Sequence, residues 1–164
     1  CRLGADVTGI DFVQNNIRIA KEHSKLNNLK IKYVCEDVET LNNNDKFDVM
    51  IMFEVLEHID DWKNFLNKIK KNLKKNGTVI LSTINRNLVS KISAIIIAEN
   101  ILKWVPKGTH DYNKLIQPKE IEFELRKNGF DIKNFRGIFY NPILNRWDFT
   151  ENTAINYFCT ASKY

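Results

Sequence analysis

The chain has 164 residues, of which 43% are hydrophobic and 27% charged, as in one ordinary globular domain. These figures exclude a disordered tail and a fibrous protein, and no apolar run is long enough to predict a transmembrane helix. The cysteines Cys1, Cys35 and Cys159 are widely spaced and odd in number. They predict a reduced, intracellular protein without a disulfide framework or a metal knuckle.

The net charge of +5 raises the question of a nucleic-acid partner. Much of the excess lies in residues 63–75, where lysines occupy the polar side of a predicted helix without interleaved aromatic or arginine residues. This pattern favours a solvated helix face over a nucleic-acid interface, and we expect no nucleic-acid partner. Weak attraction to anionic lipid is the alternative that the charge leaves open.

The first half of the chain alternates predicted strands and helices. Short connections between such elements predict right-handed βαβ units and a parallel sheet. The continuous apolar runs predict two strands that are buried on both faces, at 47–53 and 78–84. The predicted elements are strand 5–11, helix 13–27, strand 31–35, strand 47–53, a helix from Asp60 or Asp61 to Lys75, and strand 78–84.

The second half departs from this rhythm. Residues 88–105 form a long apolar segment that predicts a helix ending at Pro106, within an insertion at about 87–116. Pro118 then predicts the start of a helix that ends at Asn128-Gly129. The remaining predictions are a strand at 130–140, a loop at 141–152 and a strand at 154–162.

Two aspartates follow the first two predicted strands. Asp11 stands at the carboxyl end of its strand, where parallel sheets bind nucleotides and a carboxylate can accept hydrogen bonds from a ribose diol. Asp11 also precedes a helix, so a helix cap is an equal alternative. Asp37 could lie near an adenine amine, but a cap or turn role is the better interpretation of that residue alone.

Glu54, Glu57 and His58 directly follow the strand that ends at Phe53. Two carboxylates and an imidazole can converge where a helix begins, and such a set suits a divalent cation with water or substrate oxygens. The alternatives are ordinary first-turn helix residues and a lone general base at His58.

The pair His110-Asp111 could relay a proton, although a surface loop is an equally good interpretation. A nucleotide-binding α/β fold carries a glycine-rich turn after its first strand. None of the six glycines forms such a turn.

Five segments of the sequence resemble one family. VTGID, EVLEHI, GTVILSTINRN, AENILKWVPKGTHD and YNPI are similar to segments of the S-adenosylmethionine-dependent O-methyltransferases of ubiquinone biosynthesis. VPKGTHD and STINRN are specific to this family, whereas VTGID and EVLEH occur widely among class I methyltransferases. The resemblance implies a single α/β methyltransferase domain over residues 1–164 with a Rossmann-like, mostly parallel seven-stranded sheet and an antiparallel last strand.

The resemblance also implies roles for individual residues. Asp11 would bind the ribose of S-adenosylmethionine, and Phe53 would belong to the same cofactor pocket, as would Asp37 and Val38. Glu54, Glu57 and His58 match the proposed ligands of a divalent metal, with Mg²⁺ favoured. His110 is left as a catalytic base or a substrate contact.

This sequence differs from the family at its N-terminal end, where family members carry a first strand and a glycine-rich turn. We expect this chain to lack both, and therefore to bind the cofactor poorly by itself. In the family's sheet that strand lies between the strands ending at Asp11 and Phe53, so its absence would leave two unpaired edges.

The resembled reaction is O-methylation of polyprenyl catechol or hydroquinone intermediates. A polyprenyl substrate predicts an enzyme that meets the membrane peripherally, through residues 88–105, on the cytoplasmic or mitochondrial matrix side. A cover over the sheet is the equal alternative for that segment. Other ubiquinone-biosynthesis enzymes are possible partners. The rival interpretations are a methyltransferase for another small phenol or acid, and an inactive fragment of a split gene.

Overall fold

The computed structural model describes residues 1–40, 45–90, 111–141 and 144–164. The chain divides into two compact units, Cys1–Asn43 and Asn44–Tyr164. The three cysteines are free thiols, as their spacing predicts. No helix within the described ranges is long and apolar enough to cross a membrane.

The first unit is a small βαβ arrangement. Its two strands run parallel and in register, from Val7 opposite Ile31 to Asp11 opposite Cys35. The helix between them buries Ile17 on its inner side. The elements are strand β1 (Val7–Asp11), helix α1 (Gln14–Leu26), strand β2 (Ile31–Cys35) and a 3₁₀ helix at Val38–Thr40.

The second unit is built on a five-stranded sheet with the strand order β3-β4-β7-β5-β6. Strands β3 and β4 are parallel, whereas β7 is antiparallel to both β4 and β5. The strands are β3 (Phe47–Phe53), β4 (Leu73–Ile84), β5 (Phe130–Asn141), β6 (Arg146–Thr150) and β7 (Asn156–Lys163). The helices are α2 (Trp62–Asn72), α3 (Leu88–Ser90) and α4 (Pro118–Lys127), with 3₁₀ helices at Leu56–His58 and Tyr112–Lys114.

The core of the second unit lies on one face of the central strands β4 and β7. Leu81 and Val79 of β4 and Tyr157 of β7 are fully buried, as are Ile121 and Leu125 on α4. The Tyr157 hydroxyl donates a hydrogen bond to the Ile116 carbonyl at 2.9 Å, which satisfies the one polar atom of that buried side chain. This core gives rigid support to the end of β4 that carries Ser82 and Thr83.

The predicted antiparallel last strand is confirmed by β7. Strands β3, β4 and β5 share one direction, but β7 lies between β4 and β5, so the five-stranded sheet is mixed. Among the described residues, β1 pairs only with β2 and β3 only with β4. The strands therefore form a pair and a five-stranded sheet.

Two predictions of local structure are wrong. The helix predicted to reach Lys75 ends at Asn72, and Leu73 begins β4 opposite Phe47. The Lys163 ammonium donates hydrogen bonds to the carbonyls of Lys70 and Leu73 at 2.7 and 2.8 Å, so a tertiary contact satisfies the end of the helix. The loop predicted at 141–152 contains β6, which pairs antiparallel with β5.

The prediction that β3 is buried on both faces is also wrong. Met52 is buried, but the alternate residues Val49, Ile51 and Phe53 are 50%, 61% and 52% exposed. A continuous apolar run does not show whether both faces of a strand are covered, and one face of β3 is exposed. Residues 78–84 of β4 are buried or half-buried, as expected.

Most of the predicted helix at 88–105 lies outside the described residues. Leu88–Ser90 is helical, and the chain is described again from Asp111 onward. The insertion predicted at about 87–116 therefore stays a prediction.

Candidate active site at the end of strand β3

The site is built where β3 ends and the chain turns towards α2. Glu54 adopts a left-handed backbone conformation with φ of 53°, which is unfavourable for a residue with a side chain. The Glu54 N–H donates to the Ser82 carbonyl at 3.0 Å and holds this turn against β4. The following 3₁₀ helix is anchored by the fully buried Leu56, and Glu57 is 4% exposed.

Two consecutive residues of β4 bind the two glutamates. The Thr83 hydroxyl donates a hydrogen bond to Glu57 Oε2 at 3.0 Å, and the Ser82 hydroxyl makes a longer one to Glu54 Oε1 at 3.5 Å. Both donors are buried. No role was predicted for Ser82 or Thr83, although both lie in the STINRN segment that resembles the family.

The carboxyl groups of Glu54 and Glu57 interact directly. Although Glu54 as a whole residue is exposed, desolvation of its carboxyl, a hydrogen bond to Glu57 and the charge of Glu57 raise the pKa of Glu54 from 4.5 to about 8, while Ser82 opposes the shift. Glu57 Oε1 is buried and accepts no hydrogen bond from an ordinary donor among the described residues. Without a ligand at Glu57, a proton on Glu54 can bridge the two carboxyls at neutral pH, and a ligand or cation that binds Glu57 would displace that proton.

This pKa predicts a pH-dependent stability. The folded chain retains a proton on Glu54 that the unfolded chain releases near pH 4.5, so the free energy of unfolding falls as pH rises from about 4.5 through about 8. Glu54→Gln should flatten that decline in urea titrations at several pH values. Glu57→Gln keeps the burial but removes the charge, so part of the decline should persist. An unchanged pH profile in Glu54→Gln would refute this origin.

A cavity of about 150 Å³ adjoins Glu57. Its charged side chains are paired with one another: Arg86 donates to Glu120 at 2.6 Å, and Lys114 to Asp60 at 2.9 Å. Glu57 differs from them because it retains an oxygen without a donor. The apolar part of the wall comprises Ile59, Trp62, Leu115 and Ile116. A cavity of this volume can hold one aromatic ring, as an engineered benzene-binding cavity of similar size does.

The predicted metal ligands are only partly brought together. Within the described ranges there is no group of three or more His, Cys, Asp and Glu side chains that could hold a metal ion. His58 is exposed, and its backbone N–H donates a hydrogen bond to the Val55 carbonyl at 3.0 Å. The two glutamates with an orphaned buried oxygen still fit Mg²⁺, which proteins commonly bind through one or two carboxylates plus water and substrate oxygens.

In the first unit, Asp11 lies at the carboxyl end of β1 as predicted. Its Oδ1 accepts from the Val13 N–H at 2.7 Å and its Oδ2 from the Asn16 amide at 3.0 Å. Asp11 therefore organises the start of α1. A carboxylate has about four acceptor positions, so two remain for a ligand such as a ribose diol. The N-cap of α1 is Val13, so Asp11 braces the turn before the helix and is not its cap. This structural role is compatible with a binding role.

The other predicted cofactor residues have separate settings. Asp37 accepts from the Glu39 N–H at 2.8 Å, which is the turn role that sequence analysis favoured for this residue alone. Val38 is half-buried in the 3₁₀ helix that follows. Phe53 contacts the Phe158 ring edge-to-face, with centroids 5.2 Å apart. His110 lies outside the described residues, so its role stays a prediction.

A family model described as a methyltransferase domain matches residues 2–134. The chain belongs to this methyltransferase family. This chain is similar, over nearly its whole length, to ubiquinone biosynthesis O-methyltransferases. The one from Pelagibacter ubique is 43% identical over 96% of this chain and 65% of the relative. The relative from Rickettsia akari is 42% identical over 98% of this chain and 64% of its own length. The relative from Bartonella tribocorum is 42% identical over 99% of this chain and 66% of its own length. The chain thus spans just under two thirds of these relatives' length.

Solved methyltransferase structures share the fold. An S-adenosylmethionine-dependent methyltransferase from Clostridium acetobutylicum matches with a TM-score of 0.73 and 15% identity, covering 99% of this chain and 77% of that one. Magnesium protoporphyrin IX methyltransferase from Synechocystis, with bound SAH, matches with a TM-score of 0.70 and 17% identity, covering 99% and 66%. This likeness confirms the predicted Rossmann-like methyltransferase class.

Proposed function

We propose that the protein transfers a methyl group from S-adenosylmethionine to a phenolic oxygen of a polyprenyl catechol or hydroquinone in ubiquinone biosynthesis. The observation that carries this proposal is the 43% identity with a ubiquinone biosynthesis O-methyltransferase across 96% of the chain. The paired glutamates beside a ring-sized cavity support it, since a phenolic acceptor needs a hydrogen-bond acceptor and an apolar wall.

Four residues are proposed to bind the cofactor. Asp11 accepts hydrogen bonds from the ribose through the acceptor positions that Val13 and Asn16 leave free. Asp37 and Val38 border the adenine, and the exposed ring of Phe53 contributes apolar surface to the cofactor pocket.

Glu57 and Glu54 are proposed to act on the acceptor. A phenol has a pKa near 10 and is a poor nucleophile at neutral pH. Glu57 Oε1 can accept the hydrogen bond of an acceptor hydroxyl, and Trp62 and Ile59 exclude water from one side of the ring. Holding oxygen, methyl and sulfur in line then lowers the barrier by several kcal/mol. His110 remains a proposed base or substrate contact.

A divalent cation, Mg²⁺ favoured, is proposed to bind Glu54 and Glu57, with His58 as a further predicted ligand. When bound there, it supplies positive charge that lowers the pKa of the catechol hydroxyls and orients the ring.

Removal of metal tests this part separately. We expect EDTA to abolish methyl transfer to a catechol and excess Mg²⁺ to restore it, because binding of a cation at the paired carboxylates is reversible. Cofactor affinity should be the same with and without EDTA. Undiminished turnover in EDTA would contradict the metal role while leaving the methyl transfer in place.

Membrane contact is proposed for the apolar segment at 88–105, which lies outside the described residues beyond Ser90. It would place the protein peripherally at the inner membrane, on the cytoplasmic or matrix side, where other ubiquinone-biosynthesis enzymes could be partners. Flotation with liposomes that Ile96→Glu leaves unchanged would contradict this contact.

Acceptor competition tests the substrate class. A short-tailed polyprenyl catechol should compete with, and be methylated in preference to, simple phenols and carboxylic acids. Preferential methylation of a carboxylate or of an unrelated phenol would reject the quinone-type substrate.

A further inference from the structure

The buried hydroxyl of Thr83 stands out among the groups to which the proposed reaction assigns no role. Thr83 is fully buried at the end of β4 and donates to Glu57 Oε2 at 3.0 Å. Glu57 is itself almost fully buried, and within the part of the chain that the structure describes its other oxygen, Oε1, has no ordinary hydrogen-bond donor. One oxygen of the carboxylate is thus held by the protein, and the other is left for a ligand.

We infer that Thr83 is a positioning residue that orients Glu57 so that Oε1 meets the methyl acceptor. This inference rests on the proposed function, which it deepens by naming the group that fixes the acceptor-binding carboxylate. A glutamate side chain rotates about three bonds, so a single fixed oxygen removes most of its freedom. Carboxylates that bind ligands are commonly held by such supporting hydrogen bonds.

The surroundings of Thr83 make it a rigid donor. Thr83 pairs with the fully buried Tyr157 on β7, and its neighbour Leu81 on the same face of the strand is also fully buried. A β-branched side chain on a strand has few rotamers, so the hydroxyl direction is set by the sheet. The Glu57 backbone is fixed independently, because Leu56 and Ile59 on either side of it are buried.

The neighbouring contact of Ser82 is weaker. Its hydroxyl lies 3.5 Å from Glu54 Oε1, at the limit of a hydrogen bond, whereas the Thr83 contact is 0.5 Å shorter (3.5 against 3.0 Å). The geometry therefore assigns the positioning of the pair chiefly to Thr83 and Glu57.

The test compares Thr83→Val, which keeps the shape but removes the donor, with Thr83→Ser, which keeps the donor. Thr78→Val is the matched control, since Thr78 lies on the same strand and its hydroxyl contacts Ser162 instead. Calorimetry on the full-length protein measures the affinity for catechol in Mg²⁺ buffer and, separately, for S-adenosylhomocysteine. Steady-state kinetics then give kcat and both KM values.

We expect Thr83→Val to lose about 10- to 100-fold in catechol affinity. Its affinity for S-adenosylhomocysteine should stay within about threefold, as should both affinities of Thr83→Ser and Thr78→Val. A purely structural role would instead weaken both ligands alike or lower only the unfolding temperature. Weakening of both ligands alike, or a lowered unfolding temperature alone, would overturn the inference. So would an unchanged catechol affinity in Thr83→Val, and so would a wild type that does not bind catechol. Thr83-dependent catechol binding without methyl transfer would reject the proposed function alone.

Discussion

Glu57→Gln is expected to lower kcat for methyl transfer to a catechol by on the order of 10²-fold, the usual effect of removing a positioned group that accepts the proton of the nucleophile. Glutamine has the same shape and can still accept the Thr83 hydrogen bond, so the turn at Leu56–His58 should remain. What disappears is the negative charge beside the cavity, together with the oxygen that has no other partner.

The measurement is the steady-state transfer of labelled methyl groups, with cofactor affinity determined in parallel by calorimetry. Asp48→Asn is a suitable control, because Asp48 lies on the same strand β3 but is exposed and paired with Lys74 at 2.9 Å. It should change kcat by less than about twofold, as expected for a surface ion pair. A Glu57→Gln protein with wild-type kcat would remove Glu57 from the site.

Asp11→Asn is expected to weaken S-adenosylmethionine binding by about 10- to 100-fold. Hydrogen bonds to a charged acceptor contribute about 1.5–3 kcal/mol, roughly twice the contribution of neutral ones. The asparagine oxygen can still accept from the Val13 N–H, and its NH₂ can donate to the Asn16 side-chain oxygen once that amide flips, so the start of α1 should be retained. The loss would then report the ribose contact and not a damaged helix.

Calorimetric titration with S-adenosylmethionine measures this effect, and circular dichroism checks that α1 is intact. Asp6→Asn removes an exposed carboxylate just before β1 and should leave the affinity unchanged. Equal cofactor affinity in Asp11→Asn and the wild type would show that Asp11 serves only the helix.

Several strands could be predicted closely from the sequence. The bounds of β2 and β3 agree with the alternating segment at 31–35 and the apolar run at 47–53. These two predictions succeeded because hydrophobic patterns and their flanking polar residues are local signals. The antiparallel direction of β7 was implied by the family resemblance instead.

Features that depend on contacts distant in sequence could not be predicted in this way. Helix α2 ends at Asn72, where the Lys163 ammonium binds the carbonyls of Lys70 and Leu73. Lys163 is far from Asn72 in the sequence, and the residues next to Asn72 do not predict a helix end there. Strand β6 carries the alternating residues Trp147 and Phe149, which are exposed; its strand character becomes evident only through pairing with β5.

The candidate site shows the same division. The positions of Glu54 and Glu57 after a strand were evident from the sequence, and the structure joins their carboxyls. The support from Thr83 was not evident, because a threonine in a strand usually signals only β-propensity. Likewise, Glu57 and His58 are neighbours in sequence but do not join a metal-binding group of three side chains among the described residues, since Glu57 is buried and His58 is exposed.

The most direct test is transfer of a labelled methyl group from S-adenosylmethionine to a short-tailed polyprenyl catechol by the full-length protein, with the product identified by mass and NMR. The proposed function predicts one new methoxy group on a ring oxygen and stoichiometric release of S-adenosylhomocysteine. Methylation of a carboxylate, a nitrogen or a carbon, or no transfer by a folded protein that binds the cofactor, would contradict it.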